Sequence, residues 1–308
     1  MSGESGKIGT VELAAYVYIS DYRTNYGKEP SGVLFNKYMI MLNRTLLKNG
    51  VDMKLSHCWY RWGDEVVSHS IRNHVHFNHD DPYHTVANWI SDPVENPERY
   101  QLYDGIKSFS DLFIQQFQDK EGVEILLDDV YGEAPFEFQR RYEMVRENLK
   151  EALHQVSPMD HRRDVLKPLF DDAMAQFPDD FSSIKDTTND FRRAFVSAIE
   201  MERSTEELYF MSEDFWSFFC NHLRMKCHYH VGKATLDRWK EIIPWEDERF
   251  AWIVQDMTCK YLSDSEDTRV RDIIGERDRR MSRVQAMIDS FTDSDLDDLK
   301  SFLGRGSC

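Results

Sequence analysis

The sequence predicts a mostly α-helical protein of two domains, the first carrying a small aromatic strand or hairpin. Three observations carry this. Apolar residues recur at helical spacing along most of the 308-residue chain. Helix starts and stops are marked by Ser, Thr, Pro and Gly at the expected positions. Only one short stretch, Val51 to Val67, departs toward an alternating aromatic pattern.

The elements follow in order. Val11 to Tyr26 reads as a helix on Leu13, Tyr16 and Val17, stopped by Gly27. Pro30-Ser31-Gly32 opens a second helix, Val33 to Lys48, ended by Asn49-Gly50. In the next stretch Leu55, Trp59, Tyr60, Trp62 and Gly63 suggest a strand or hairpin. Two helices and a hairpin are compatible with a winged-helix-like unit or with an irregular helical domain. A polar segment, His69 to His84, leads to a helix from Glu98 to Phe117. Val123 to Leu127 alternates apolar and acidic residues and could form a short strand. Gly132 to Pro135 is the expected domain boundary, giving domains 1–131 and 132–308.

Beyond Pro135 everything reads as helix. The segments are Phe136 to Val156, Pro158 to Phe177, a run from Thr187 to Phe210, Trp216 to Tyr229, Thr235 to Ile243 ending at Pro244, and Phe250 to Leu262. A charged helix, Thr268 to Phe291, carries Val270, Ile273, Ile274, Met281, Val284 and Ile288 as a candidate homodimer seam over 268–291. Thr292 or Ser294 caps a last helix reaching Leu303.

Composition narrows the function classes. A hydrophobic fraction of 41% is enough for a buried core, and no apolar run is long enough to span a membrane. The N-terminus shows no signal-peptide core, so a cytoplasmic location is expected. Five cysteines without a CxxC pair are expected to be reduced thiols. The net charge is −17, with Asp outnumbering Glu and Lys scarce. That balance resembles the proteins of halophilic microbes, and an ordinary acidic cytosolic protein is the alternative. Either way the bulk surface repels nucleic acid.

Against this background one stretch is basic. Tyr22 to Arg61 holds Arg23, Lys28, Lys37, Arg44, Lys48, Lys54 and Arg61 against Glu29 and Asp52. At about 100° per residue, Lys37, Arg44 and Lys48 fall on one stripe of the second helix. The expected partner-binding residues are Lys37, Arg44, Lys48, Lys54 and Arg61, with the helical three on an exposed flank. The aromatics of Cys58-Trp59-Tyr60-Arg61-Trp62 could stack bases or Arg, although such runs are more often core.

Two histidine and cysteine clusters are candidates for metal chemistry. The first, with His57, Cys58 and His84 around it, places His69, His74, His76, His79 and Asp80 close enough to share zinc or iron if the backbone folds back. Its spacing matches no zinc signature, so a polar loop is the preferred reading and a metal-dependent hydrolase or nuclease over His69 to Asp81 the alternative. The second cluster is Cys220, His222, Cys227, His228 and His230, beside Phe215, Trp216, Phe218 and Phe219. Its cysteines read as small core residues. No phosphate-binding loop, nucleophile elbow or kinase motif is found, so no catalytic residue is assigned.

The order from Phe35-Asn36-Lys37-Tyr38-Met39-Ile40-Met41-Leu42 through Gly50-Val51-Asp52-Met53-Lys54-Leu55 to Trp59-Tyr60-Arg61-Trp62-Gly63 resembles the Panacea (SocA-like antitoxin) group of microbial domains and related archaeal helical proteins. The resemblance implies a non-enzymatic regulatory domain that binds a protein partner, such as a toxin, sometimes with DNA-linked regulation. The sequence expectation is therefore a cytoplasmic, antitoxin-like protein that binds protein or nucleic acid through its N-terminal basic helix, without a cofactor.

Overall fold

The computed structural model describes residues 9–61, 63–67, 97–117, 131–154 and 162–289. Helix dominates, with one small antiparallel sheet, as the sequence predicts. The helices are α1 (Thr10–Tyr26), α2 (Gly32–Lys48), α3 (Pro97–Gln116), α4 (Glu137–His154), α5 (Arg162–Ala175), α6 (Lys185–Glu200), α7 (Thr205–Lys226), α8 (Lys233–Tyr261) and α9 (Thr268–Asp289). A 3-10 helix, Asp179–Ile184, precedes α6. The strands are β1 (His57–Tyr60), β2 (Gly63–Val66) and β3 (His228–Tyr229), in the order β2-β1-β3.

The chain forms two compact units. One takes residues 1–144, 175–177 and 216–246; the other takes 145–174, 178–215 and 247–308. Gly132 to Pro135, expected as the boundary, lies within the first unit, and each unit draws on separated segments.

In the first unit the signals at both ends of α1 and α2 work locally. Gly27 adopts φ 65° and donates its N–H to the Arg23 carbonyl at 2.8 Å, closing α1. Ser31 Oγ accepts the Leu34 N–H at 3.3 Å, opening α2. Tyr18 from α1 and Tyr38 from α2 stack at 4.0 Å, and Phe113 of α3 meets both edge-on. Leu13, Leu42, Leu55 and Ile106 complete this core. Elsewhere in the unit, Tyr142 stacks on Trp216, and Phe138 meets Phe219 edge-on at 4.9 Å.

In the second unit the core is a phenylalanine cluster. Phe191 and Phe215 stack at 4.5 Å, with Phe170, Phe195 and Phe250 around them. Arg146 is buried beside Glu213, with bonds of 2.6 and 3.2 Å. Val270 and Ile273, two of the six seam residues, are buried, and Met281 is exposed. The side chains of Val284 and Ile288 lie outside the described residues.

Three element boundaries differ from the sequence expectation. The run from Thr187 to Phe210 breaks at residues 201–204, where Glu202 takes φ 57°. The break has a local cause, because Ser204 Oγ accepts the Glu207 N–H at 3.2 Å and starts α7 there. Ser204-Thr205-Glu206-Glu207 is a capping-box sequence. The Glu207 carboxylate bonds instead to Lys260 and Tyr261. Ser204→Ala is expected to cost about 1 kcal/mol in a denaturation titration; no loss would remove the capping role.

Pro244 does not end a helix but sits inside α8. The ring removes one N–H, whose acceptor would be the Lys240 carbonyl, and Lys240 and Glu241 are exposed, so water can take that bond. Finally, α7 stops at Lys226, and His228-Tyr229, expected as helix, pairs with His57 and Cys58 as a third strand.

Candidate functional site

The hairpin organises two polar clusters because its faces alternate. Past α2, Gly50 at φ 81° and Lys54 at φ 53° turn the chain, and Lys54 N–H bonds to Asp52 Oδ1 at 2.7 Å. Gly63 at φ 85° opens β2, and the register sets Trp59 opposite Asp64 and His57 opposite Val66. His57, Trp59, Asp64 and Val66 therefore share one face, and Cys58, Tyr60 and Glu65 the other.

On the first face one buried residue, Asp64, collects three cationic or basic side chains, two at its carboxylate and one at its backbone carbonyl. Asp64 is 2% exposed. Its Oδ1 lies 2.7 Å from His57 Nδ1 and its Oδ2 accepts from Arg44 Nη2 at 3.1 Å. Its backbone carbonyl accepts from Lys37 Nζ at 3.0 Å. Arg44 also pairs with Glu133. The His57 ring is stacked against exposed Tyr229 at 4.7 Å.

Lys37 is thus not on an exposed flank. It is 1% exposed, and burial lowers its pKa to about 8, with Arg44 acting in the same direction and the Glu65 and Asp64 carboxylates opposing. Arg44 is half-buried and engaged by two carboxylates. The stripe drawn from helical spacing is real, but its N-terminal two-thirds face the hairpin. Lys48 and Lys54 are exposed and form no ion pair among the described residues. Leu47, next to Lys48 in the chain, is 56% exposed.

The second face carries Cys58, which packs with Val67 and Trp239. Burial pushes the Cys58 thiol up to about 12, next to Glu65 and Asp64, so it is a poor nucleophile. Tyr60 lies against two arginines, Arg61 at 5.8 Å and Arg224 at 5.1 Å from its ring centre. The aromatic run therefore stacks Arg within its own chain. Arg61 reaches Ser217 Oγ with its side chain, and its carbonyl accepts from Tyr131 and Trp216, each at 3.0 Å. Arg224, engaged by Tyr60 and Trp239, gave no signal in the sequence because the three residues are far apart in the chain.

The metal candidates His69, His74, His76, His79 and Asp80 lie outside the described residues. In the second cluster Cys220 is buried, as expected of a core residue, and His222, Cys227 and His228 are half-buried with His230 exposed. Among the described residues no three His, Cys, Asp or Glu side chains converge so as to hold a metal ion. No helix among the described residues is long and apolar enough to cross a membrane. No protein-family model, no curated protein and no solved structure matches this chain.

Proposed function

We propose that this chain is a non-enzymatic regulatory protein that binds a protein partner through the C-terminal end of α2. The observation that carries this reading is the division of the basic island. Lys37 and Arg44 are engaged by Asp64, while Lys48 at the end of α2, Lys54 in the turn that follows and Leu47 are exposed. An exposed apolar side chain and two exposed cations at this end of the helix suit a partner surface that is part apolar and part acidic. Two exposed lysines on a chain of net charge −17 offset little of its repulsion from a polyanion, so a protein is favoured over nucleic acid. The resemblance of the 35–63 stretch to SocA-like antitoxin domains supports the same reading, with a toxin as one such partner.

The test is a double variant, Lys48→Glu with Lys54→Glu, compared with the wild type as bait in affinity capture and then with the purified partner. Both residues are exposed, so stability is expected to change by no more than about 0.5 kcal/mol. The partner's on-rate is expected to fall, most strongly at low salt. A partner held equally well by the folded variant would remove this surface from the function. If nucleic acid bound instead, the slope of log affinity against log salt would flatten by about 0.9 for each phosphate no longer neutralised.

A further inference from the structure

Arg224, in the first unit, is a half-buried cation that no carboxylate among the described residues pairs with. Its guanidinium carbon lies 5.1 Å from the Tyr60 ring centre and 5.1 Å from that of Trp239. Around it are Cys58, Val67 and the half-buried Met225 and Leu236. The Nε atom is buried and has no hydrogen-bond partner, and no hydrogen bond or ion pair reaches this guanidinium from any described residue. Burial pulls its pKa below the usual arginine value, with Tyr60, Cys58 and Glu246 acting in the opposite direction.

Several other arginines of the chain are paired. Arg146, Arg192, Arg193, Arg269 and Arg277 each find a carboxylate. A guanidinium carries five donors, and leaving the buried Nε–H without an acceptor costs free energy. Contact with two aromatic rings supplies cation–π attraction and restrains the guanidinium plane, but offers no acceptor in that plane. Further polar groups lie beside it. Asn221, one turn earlier on α7, accepts from the Tyr60 hydroxyl at 3.5 Å.

We propose that Arg224, held between Tyr60 and Trp239, is a binding site for the oxyanion group of a small ligand, a carboxylate or a phosphate. A planar guanidinium fork held between two aromatic rings matches either group, and charge-assisted bonds of this kind are the strong ones. The chain's net charge selects for a compact anion over a polyanion. The site goes beyond the partner-binding reading, because it shares neither Lys48 nor Lys54.

The test uses the full chain at constant ionic strength in chloride, titrated separately with inorganic phosphate and with acetate. Nitrogen-15 NMR follows the Arg224 Nε–H, assigned as the resonance absent from Arg224→Lys. A saturable shift of that resonance is expected with at least one anion. A shift with phosphate alone assigns a phosphate ligand, and a shift with acetate assigns a carboxylate. Arg224→Gln is expected to weaken calorimetric binding by roughly 10- to 100-fold, the equivalent of losing charge-assisted hydrogen bonds. Comparison with this variant also separates site binding from the general stabilisation that phosphate gives any fold.

Two results would overturn the proposal: no saturable shift with either anion, or undiminished binding by Arg224→Gln. If that variant fails to fold, the wild-type resonance still decides. The Lys48→Glu, Lys54→Glu variant is expected to bind the anion as the wild type does, so failure of one proposal is distinguishable from failure of the other.

Discussion

Replacing Asp64 by alanine is expected to destabilise the first unit by about 3–5 kcal/mol, the usual cost of removing one partner from a buried ionic cluster. Asp64 is 2% exposed, and its carboxylate holds His57 at 2.7 Å and Arg44 at 3.1 Å. Without it Lys37 remains buried, held by the carbonyl of residue 64, and Arg44 keeps Glu133. A loss of that size is a large part of the roughly 5–15 kcal/mol available to a folded domain. Asp64→Asn keeps the shape and one acceptor but removes the charge, so it should fall between alanine and wild type. Urea titrations monitored by circular dichroism would give all three values. A loss under about 1 kcal/mol for Asp64→Ala would show that the cluster does not hold the hairpin to α2.

The contrast between Lys37 and Lys48 shows what the sequence can and cannot supply. Helical spacing put Lys37, Arg44 and Lys48 on one stripe, and α2 does run from Gly32 to Lys48. Which part of that stripe is covered depends on Asp64, 27 residues beyond Lys37, and no local pattern states where the hairpin will lie. The same limit applies to β3. His228-Tyr229 has no strand signal of its own, and becomes a strand only because β1 leaves an edge open to it. Arg224 is the extreme case, since its two aromatic neighbours lie at positions 60 and 239.

Local signals fared better where the physics is local. Gly27 and Ser31 mark helix ends in the sequence and cap them in the structure. The Ser204-x-x-Glu207 box is equally legible, although it lies inside the run from Thr187 to Phe210 that the helical spacing joins into one segment. Pro244 does not end its helix, because the Lys240 carbonyl it leaves without a donor lies on an exposed part of α8 where water can take the bond.

Lys37→Met is expected to stabilise the protein at neutral pH, and the gain should shrink as the pH rises. The folded-state pKa is about 8, below the ordinary 10.5. The group is thus protonated in both states below pH 8, and there the buried charge costs stability. Between pH 8 and 10.5 the unfolded chain binds more protons than the folded one, so wild-type stability from this group rises with pH. The span corresponds to about 3 kcal/mol at roughly 1.36 kcal/mol per pH unit, reduced in the variant by the missing bond to the Asp64 carbonyl.

Other groups act in the opposite direction over the same range. Burial raises the Cys58 thiol from 9.0 to about 12 and raises the Tyr18 hydroxyl well above 10.0, so both favour unfolding as the pH climbs. The wild-type curve alone therefore mixes these effects. The difference between wild type and Lys37→Met cancels them, because Cys58 and Tyr18 are common to both proteins. The methionine advantage should be largest below about pH 8 and decline steadily toward about pH 10. A difference that stays flat from about pH 7 to 10 would mean Lys37 carries no depressed pKa, and the account of α2 as a helix with a buried, desolvated lysine would fall.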